Sequence, residues 1–473
     1  MKKALFFVFA LFFIAPQSWA DNGYRIEVNL LDFEGDEIYL GYHYGDKQYI
    51  KDTVQMSENG NYVFEGEEPL DGGMYLIVLP PDNQFIQVLV DEQQQHFSLS
   101  TTTDDPVTNI EIKGSAENQL FYDYMGFLDQ KRELATPLQE EMGQEKLSEA
   151  RKAELQKQLD AITAEVNAYQ QEIMKKHTET LTAAIIRSGQ ELKTPEFTGD
   201  KQEYQRWDFF KKHWFDNLNM ADPRLLRSPV QFQKVDQYMT KLVAQHPDSL
   251  IIGVDRVLKM VEPSQETFQF YLIHFLNVYA KSKIVGMDAV YVHIIEDYYA
   301  KGRAPWTEEE QLNKIIDSGR KLAPLLIGKQ APKITMYKKD GSTLGLYDVK
   351  SEYTVLFFWD PDCGHCKKSM PDMIKFYNDY KDKGVEVFAV CTKLKDAEAK
   401  CWDMIDEKGM DIWINVSDKM LRSRFKQLYD IRTTPQVYVL DKDKKIISKR
   451  LGADQLGTVI DNLIQMKKEE KKP

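Results

Sequence analysis

Two cysteines with two residues between them, Cys363 and Cys366, follow directly on a continuous apolar run, Val355 to Trp359. Such a run reads as a strand buried on both faces. The residues after it read as a helix, so the thiols sit at a strand-to-helix turn. This demands a sheet with helices packed against it, and it constrains the chain more than any other feature.

The spacing has a geometric reason. With Cys363 just before the helix and Cys366 in its first turn, the two sulfurs reach disulfide distance without moving the backbone. Unpaired N–H groups at the helix start favour the Cys363 thiolate, which makes it the attacking sulfur. Cys366, one turn in and more covered, becomes the resolving thiol. His365, with Gly364 beside it, is expected to tune the potential, because an imidazolium stabilises the thiolate. Asp360 and Asp362 push the other way.

A CxxC is also half of a zinc site, which would want a second Cys or His pair at similar spacing. The remaining cysteines, Cys391 and Cys401, have nine residues between them, one ending a strand and one within a helix. They read as buried free thiols, with a second redox pair as the alternative. No metal and no organic cofactor is expected.

At 473 residues the chain exceeds a single ordinary core, so several domains are expected. Met1 to Ala20 reads as a secretory signal: Lys2 and Lys3, an apolar run from Ala4 to Ala15, then Ser18-Trp19-Ala20 with cleavage after Ala20. That run is shorter than the roughly twenty residues that span a bilayer. No stable membrane insertion is therefore expected, and the implied compartment is exported and oxidising, a bacterial periplasm. Removing Lys2 and Lys3 takes the net charge from −13 to −15, which argues against nucleic acid as a partner.

Residues 21–115 read as a β-sandwich. Tyr24 to Leu30, Glu37 to Tyr44, Tyr62 to Glu65, Met74 to Leu79, Phe85 to Val90 and Gln95 to Leu99 are short β-branched and aromatic segments between Gly, Asn, Asp and Pro turns. The cluster Tyr39, Tyr42, Tyr44 and Tyr49 is taken as a packed face rather than a carbohydrate or peptide surface. Residues 116–327 read as a helical domain. In it Leu155, Leu159, Ile162, Val166, Tyr169 and Ile173 form one apolar stripe, covered either by neighbouring helices or across a homodimer. His274 and His293 read as structural histidines.

From Gly328 onward the order is strand, CxxC helix, strand, helix, hairpin and helix. The expected helices include one after Cys366 that runs to about Tyr380 with a kink at Pro371, Asp396 to Lys408 closed by Gly409, and Asp418 to Tyr429. With Gly328 to Pro332, Phe357-Phe358-Trp359, Cys363-Gly364-His365-Cys366 and Thr434-Pro435, residues 328–473 resemble the thioredoxin-like exported reductases of the TlpA and ResA type. Residues 21–115 resemble, in pattern, the small domain that precedes such domains in exported bacterial proteins. The resemblance implies an α/β thioredoxin fold and thiol-disulfide exchange with protein thiols or disulfides, in the reducing direction. It also implies an upstream electron donor or acceptor protein, a cis Pro435 and a substrate groove formed by Thr434, Pro435 and Trp359. Two positions depart from the family: Phe357 replaces a buried acid, and Asp362 stands where many relatives have tryptophan. The internal proton acceptor is left unassigned, with Lys393, Asp396 and Glu398 considered. The alternative function class is a partner-binding or scaffold protein with a secondary CxxC.

Overall fold

The structure is a computed structural model that describes residues 23–144, 146–420 and 422–470. The expected signal segment lies outside the described residues. Two compact units emerge: one runs to Leu242 and includes Met260–Thr267, the other comprises Val243–Lys259 and the chain from Phe268 onward. The helical stretch between the β strands and the C-terminal sheet is thus shared between the units.

In the first unit, alternation of apolar and polar residues builds two four-stranded antiparallel-rich sheets. One is ordered Tyr62–Gly66, Tyr24–Leu30, His96–Thr101, Glu111–Lys113, and the other Lys47–Gln55, Glu37–Tyr44, Gly73–Leu79, Gln84–Val90. Along Tyr24–Leu30 the odd members Tyr24, Ile26, Val28 and Leu30 are buried and Arg25 is exposed, the period-two pattern of a one-sided strand.

Helix Ala116–Met142 starts at Ser115, whose hydroxyl accepts the Asn118 N–H. The Asn118 carboxamide then clamps the backbone of Leu89 with two 2.7 Å hydrogen bonds, fixing the helix to its sheet. Glu117, also buried, accepts the N–H groups of Leu181 and Thr182 at the start of helix Leu181–Ser188. The stripe on helix Glu149–Lys176 is buried within the chain at its two ends, Leu155 and Ile173, while Leu159, Ile162, Val166 and Tyr169 between them are half-buried, Tyr169 packing 4.5 Å from Phe127 of the first helix.

The second unit carries a five-stranded sheet ordered Ile414–Val416, Val385–Cys391, Tyr353–Trp359, Gln436–Leu440, Ile446–Lys449. The first three strands are parallel, and the last two form an antiparallel hairpin. All seven residues of Tyr353–Trp359 are buried because both faces are covered. Val355, Phe357 and Trp359 join Cys366, Met370, Met373 and Phe376 on one face. Leu356 and Phe358 join Phe388, Phe425, Tyr429 and Tyr438 on the other. Each such side chain contributes about 1.5–3 kcal/mol by leaving water. Helices Gly364–Tyr380 and Ala453–Glu470 lie against each other.

Two expectations need correction. Among its described residues, the segment 418–429 holds only the short helix Phe425–Leu428. Asp418 takes the N–H groups of Arg422 and Ser423 onto its own carboxylate, and Arg424 turns left-handed at φ 55°, so the helix cannot start earlier. Cys391 and Cys401 are not free thiols but a disulfide, because the strand end and the facing helix bring their Cα atoms to 6.2 Å.

Candidate active site

Cys363 is the N-cap of helix Gly364–Tyr380. Its Sγ accepts the Cys366 N–H at 3.4 Å, and its thiol donates to the Thr434 carbonyl at 3.2 Å. The residue is partly exposed, whereas Cys366 is fully buried. Burial lifts the Cys363 thiol, but hydrogen bonds from the Cys366 backbone, the Thr434 side chain and the His365 backbone outweigh it and bring the pKa below the ordinary thiol value. Burial pushes Cys366 up to about 12. One helical turn therefore holds an outer thiol whose pKa is lowered and an inner, buried thiol whose pKa is raised.

His365 is exposed, and its backbone N–H adds the smallest of the interactions that lower the Cys363 pKa, behind the Cys366 N–H. At Gly364 a Cβ would meet nothing within 4 Å, so the fold does not require glycine there and the surface beside Cys363 stays flat. The two acids expected to oppose the thiolate are neutralised. Lys393 Nζ lies 3.1 Å from Asp360 and 2.8 Å from Asp362, and Lys400 adds a 3.1 Å contact to Asp362. Lys393, then Lys400, hold the Asp362 carboxyl below the usual carboxylate range.

Thr434-Pro435 is a cis peptide, half-buried, at the mouth of strand Gln436–Leu440. Trp359, expected in the substrate groove with them, is instead fully buried beneath the CxxC helix. Strand alternation puts it on the same face as Phe357, and its indole N–H has no hydrogen-bond partner among the described residues. Glu398 is committed elsewhere, to Ser417 and the Trp402 indole. Sequence reasoning missed the bracketing of Lys393 by Asp360 and Asp362, although a lysine two residues past a strand that pairs with the Trp359 strand was a usable signal. Among the described residues no group of three or more His, Cys, Asp or Glu side chains is placed to hold a metal ion.

A family model described as Redoxin matches residues 326–464. Two models described as domains of unknown function, DUF4369 and DUF5106, match 24–121 and 148–321. Thiol-disulfide oxidoreductase ResA of Bacillus thuringiensis is 30% identical over 128 residues, 27% of this chain and 70% of the relative. A solved domain of a possible thiol-disulfide isomerase from Cytophaga hutchinsonii is 42% identical, covering 32% of this chain and 98% of that one with a TM-score of 0.29. A solved thioredoxin-like protein from Bacteroides caccae is 21% identical, covering 57% and 99% with a TM-score of 0.43.

Proposed function

Because the chain belongs to the thiol-disulfide oxidoreductases of the ResA type, we propose that it reduces disulfides of exported client proteins in a periplasm through Cys363 and Cys366. The observation that carries this reading is the contrast within one turn, an outer thiol with a lowered pKa and an inner one raised to about 12. Attack by the Cys363 thiolate breaks the client S–S bond, forms a mixed disulfide and releases one client sulfur as thiolate. Cys366 then attacks Cys363 Sγ. The mixed disulfide breaks, the second client sulfur leaves, and the proton lost by Cys366 is taken up by a departing client thiolate. Two electrons reach the client, and Cys363–Cys366 becomes a disulfide. An upstream dithiol protein of lower potential restores it.

Within this reading Pro435 and Thr434 shape the surface that meets the client, and His365 and Gly364 border the reacting sulfur. No helix of the described residues is long and apolar enough to cross a membrane, and the sequence pattern of Met1 to Ala20 supports export. The test is insulin reduction by the full chain with dithiothreitol as electron source. Turnover that disappears in Cys363→Ser supports the reading. A folded chain with a reducible CxxC and no turnover favours the scaffold alternative.

A further inference from the structure

Next to Pro435 the second unit forms a cleft of about 710 Å³, within the roughly 300–1,000 Å³ of ligand sites. One wall is built from the sheet hairpin and the loop before it, including Arg432, Pro435 and Arg450. The opposite wall comes from helices Asp288–Ile294 and Glu309–Leu322, including Tyr291 and Ser318. The helices therefore add a second wall to a surface that the sheet alone would leave open.

Three observations say what the cleft receives. The first is continuity. Residues 432–435 precede the first ladder pair of their strand, Phe358 with Gln436, so their backbone is not engaged in the sheet. The Thr434 carbonyl touches the Cys363 thiol at 3.2 Å. Residues flanking a client sulfur at Cys363 can follow this segment into the cleft, which Pro435 lines.

The second is charge. Asp288 is paired with Lys449, which also donates to the Leu325 carbonyl at 2.5 Å, and Asp430 is paired with Arg432 at 3.0 Å. Those pairs cancel. Arg450 is exposed and, among the described residues, has no carboxylate within salt-bridge distance, so the cleft keeps one positive charge on a chain of net charge −13. The third is backbone. Asp430 and Arg450, both lining the cleft, hold left-handed conformations at φ 44° and 58°, a region uncommon for residues other than glycine though less so for aspartate.

Resting on the exchange reading above, we propose that this cleft binds the extended polypeptide flanking a client's reacting cysteine and favours an acidic side chain there, met by Arg450. The helices then act as a client-selecting wall, and Arg450 and the Ser318 face of the helical wall bear on the same flanking residue.

The experiment uses the full chain, reduced beforehand, in single-turnover reactions at low salt. Three oxidants are compared: a disulfide peptide with glutamates beside the cysteine, the same peptide with lysines, and uncharged dithiodipyridine, which needs only the thiolate. The parent should prefer the acidic peptide. Arg450→Glu should lower the acidic-to-basic rate ratio by roughly fivefold, the scale of one partly exposed charge contact reversed. Ser318→Glu, from the helical wall, should shift the ratio the same way. Lys442→Glu, in the turn at the far end of the hairpin, carries the same charge change as Arg450→Glu and should leave the ratio unmoved. All three variants should keep the parent rate with dithiodipyridine.

An unchanged ratio in both cleft variants with dithiodipyridine still reduced overturns the cleft assignment and leaves thiol exchange standing. A shift in Lys442→Glu equal to that in Arg450→Glu also overturns it, because net charge would then be the cause. Failure of the parent to reduce dithiodipyridine would overturn the exchange reading itself.

Discussion

Replacing Cys391 and Cys401 together by alanine removes a cross-link from the core of the C-terminal sheet. The bridge closes a loop of sequence separation 10, and the chain-entropy relation gives about 2.7 kcal/mol of stabilisation at 25 °C for such a loop. Both residues are buried in the cluster that contains Trp359 and Cys366, so deleting two sulfurs also leaves voids worth roughly 1 kcal/mol each. The expected total is about 4–5 kcal/mol. Hydrogen exchange of the full chain, followed in peptides covering Val385–Cys391 and Tyr353–Trp359, reads this loss locally. Amides that exchange through opening of the whole unit should speed up about a thousandfold or more. Reduction of the bridge without substitution should give about a hundredfold, the cross-link share alone. Acceleration below about fivefold in the double variant would refute the claim that this bridge braces the sheet.

Other expectations concern charge. His365→Pro deletes a backbone N–H that helps to lower the Cys363 pKa; as the smallest contribution there, its loss should make the disulfide harder to reduce by at most about 30 mV, the scale of one charge-assisted hydrogen bond, measured against glutathione. An unchanged or more oxidising potential would remove that N–H from the account. His293 lies 2.8 Å from Asp255 and 3.3 Å from Asp297, and its pKa is raised above 6.5, first by the hydrogen bond to Asp255. A raised folded-state pKa gives stability that is fully present below 6.5 and lost as pH rises through the folded value. Urea midpoints should therefore fall between pH 6 and pH 8, and the fall should flatten in His293→Gln.

The legible parts of this molecule were those in which local pattern and packing agree. The run Val355 to Trp359, the turn into Cys363 and the helix behind it are all present as the spacing predicts. The burial of Trp359 was already implicit in that run, because alternation puts it on the same face as Phe357, under the helix. The resemblance to a groove-forming family drew it outward. Strand Lys47–Gln55 escaped notice because its charged, largely exposed residues carry no apolar alternation. It exists as an edge strand paired to Glu37–Tyr44 across a turn with Gly45 at φ 61°. The bridge between Cys391 and Cys401 depends on how closely a helix approaches a strand end, a tertiary distance that spacing along the chain does not encode. Likewise, the neutralisation of Asp360 and Asp362 depends on Lys393, from the end of the neighbouring strand.

The central claim is that Cys363 attacks and Cys366 resolves, and trapping tests it most directly. Cys366→Ser, incubated with a disulfide-containing client or peptide, should accumulate a mixed disulfide that runs as a shifted band on a non-reducing gel, collapses with reductant and maps to Cys363. Cys363→Ser should trap nothing, because Cys366 is buried and its pKa stands at about 12. Adducts that form chiefly through Cys366 would contradict the account and reverse the two roles.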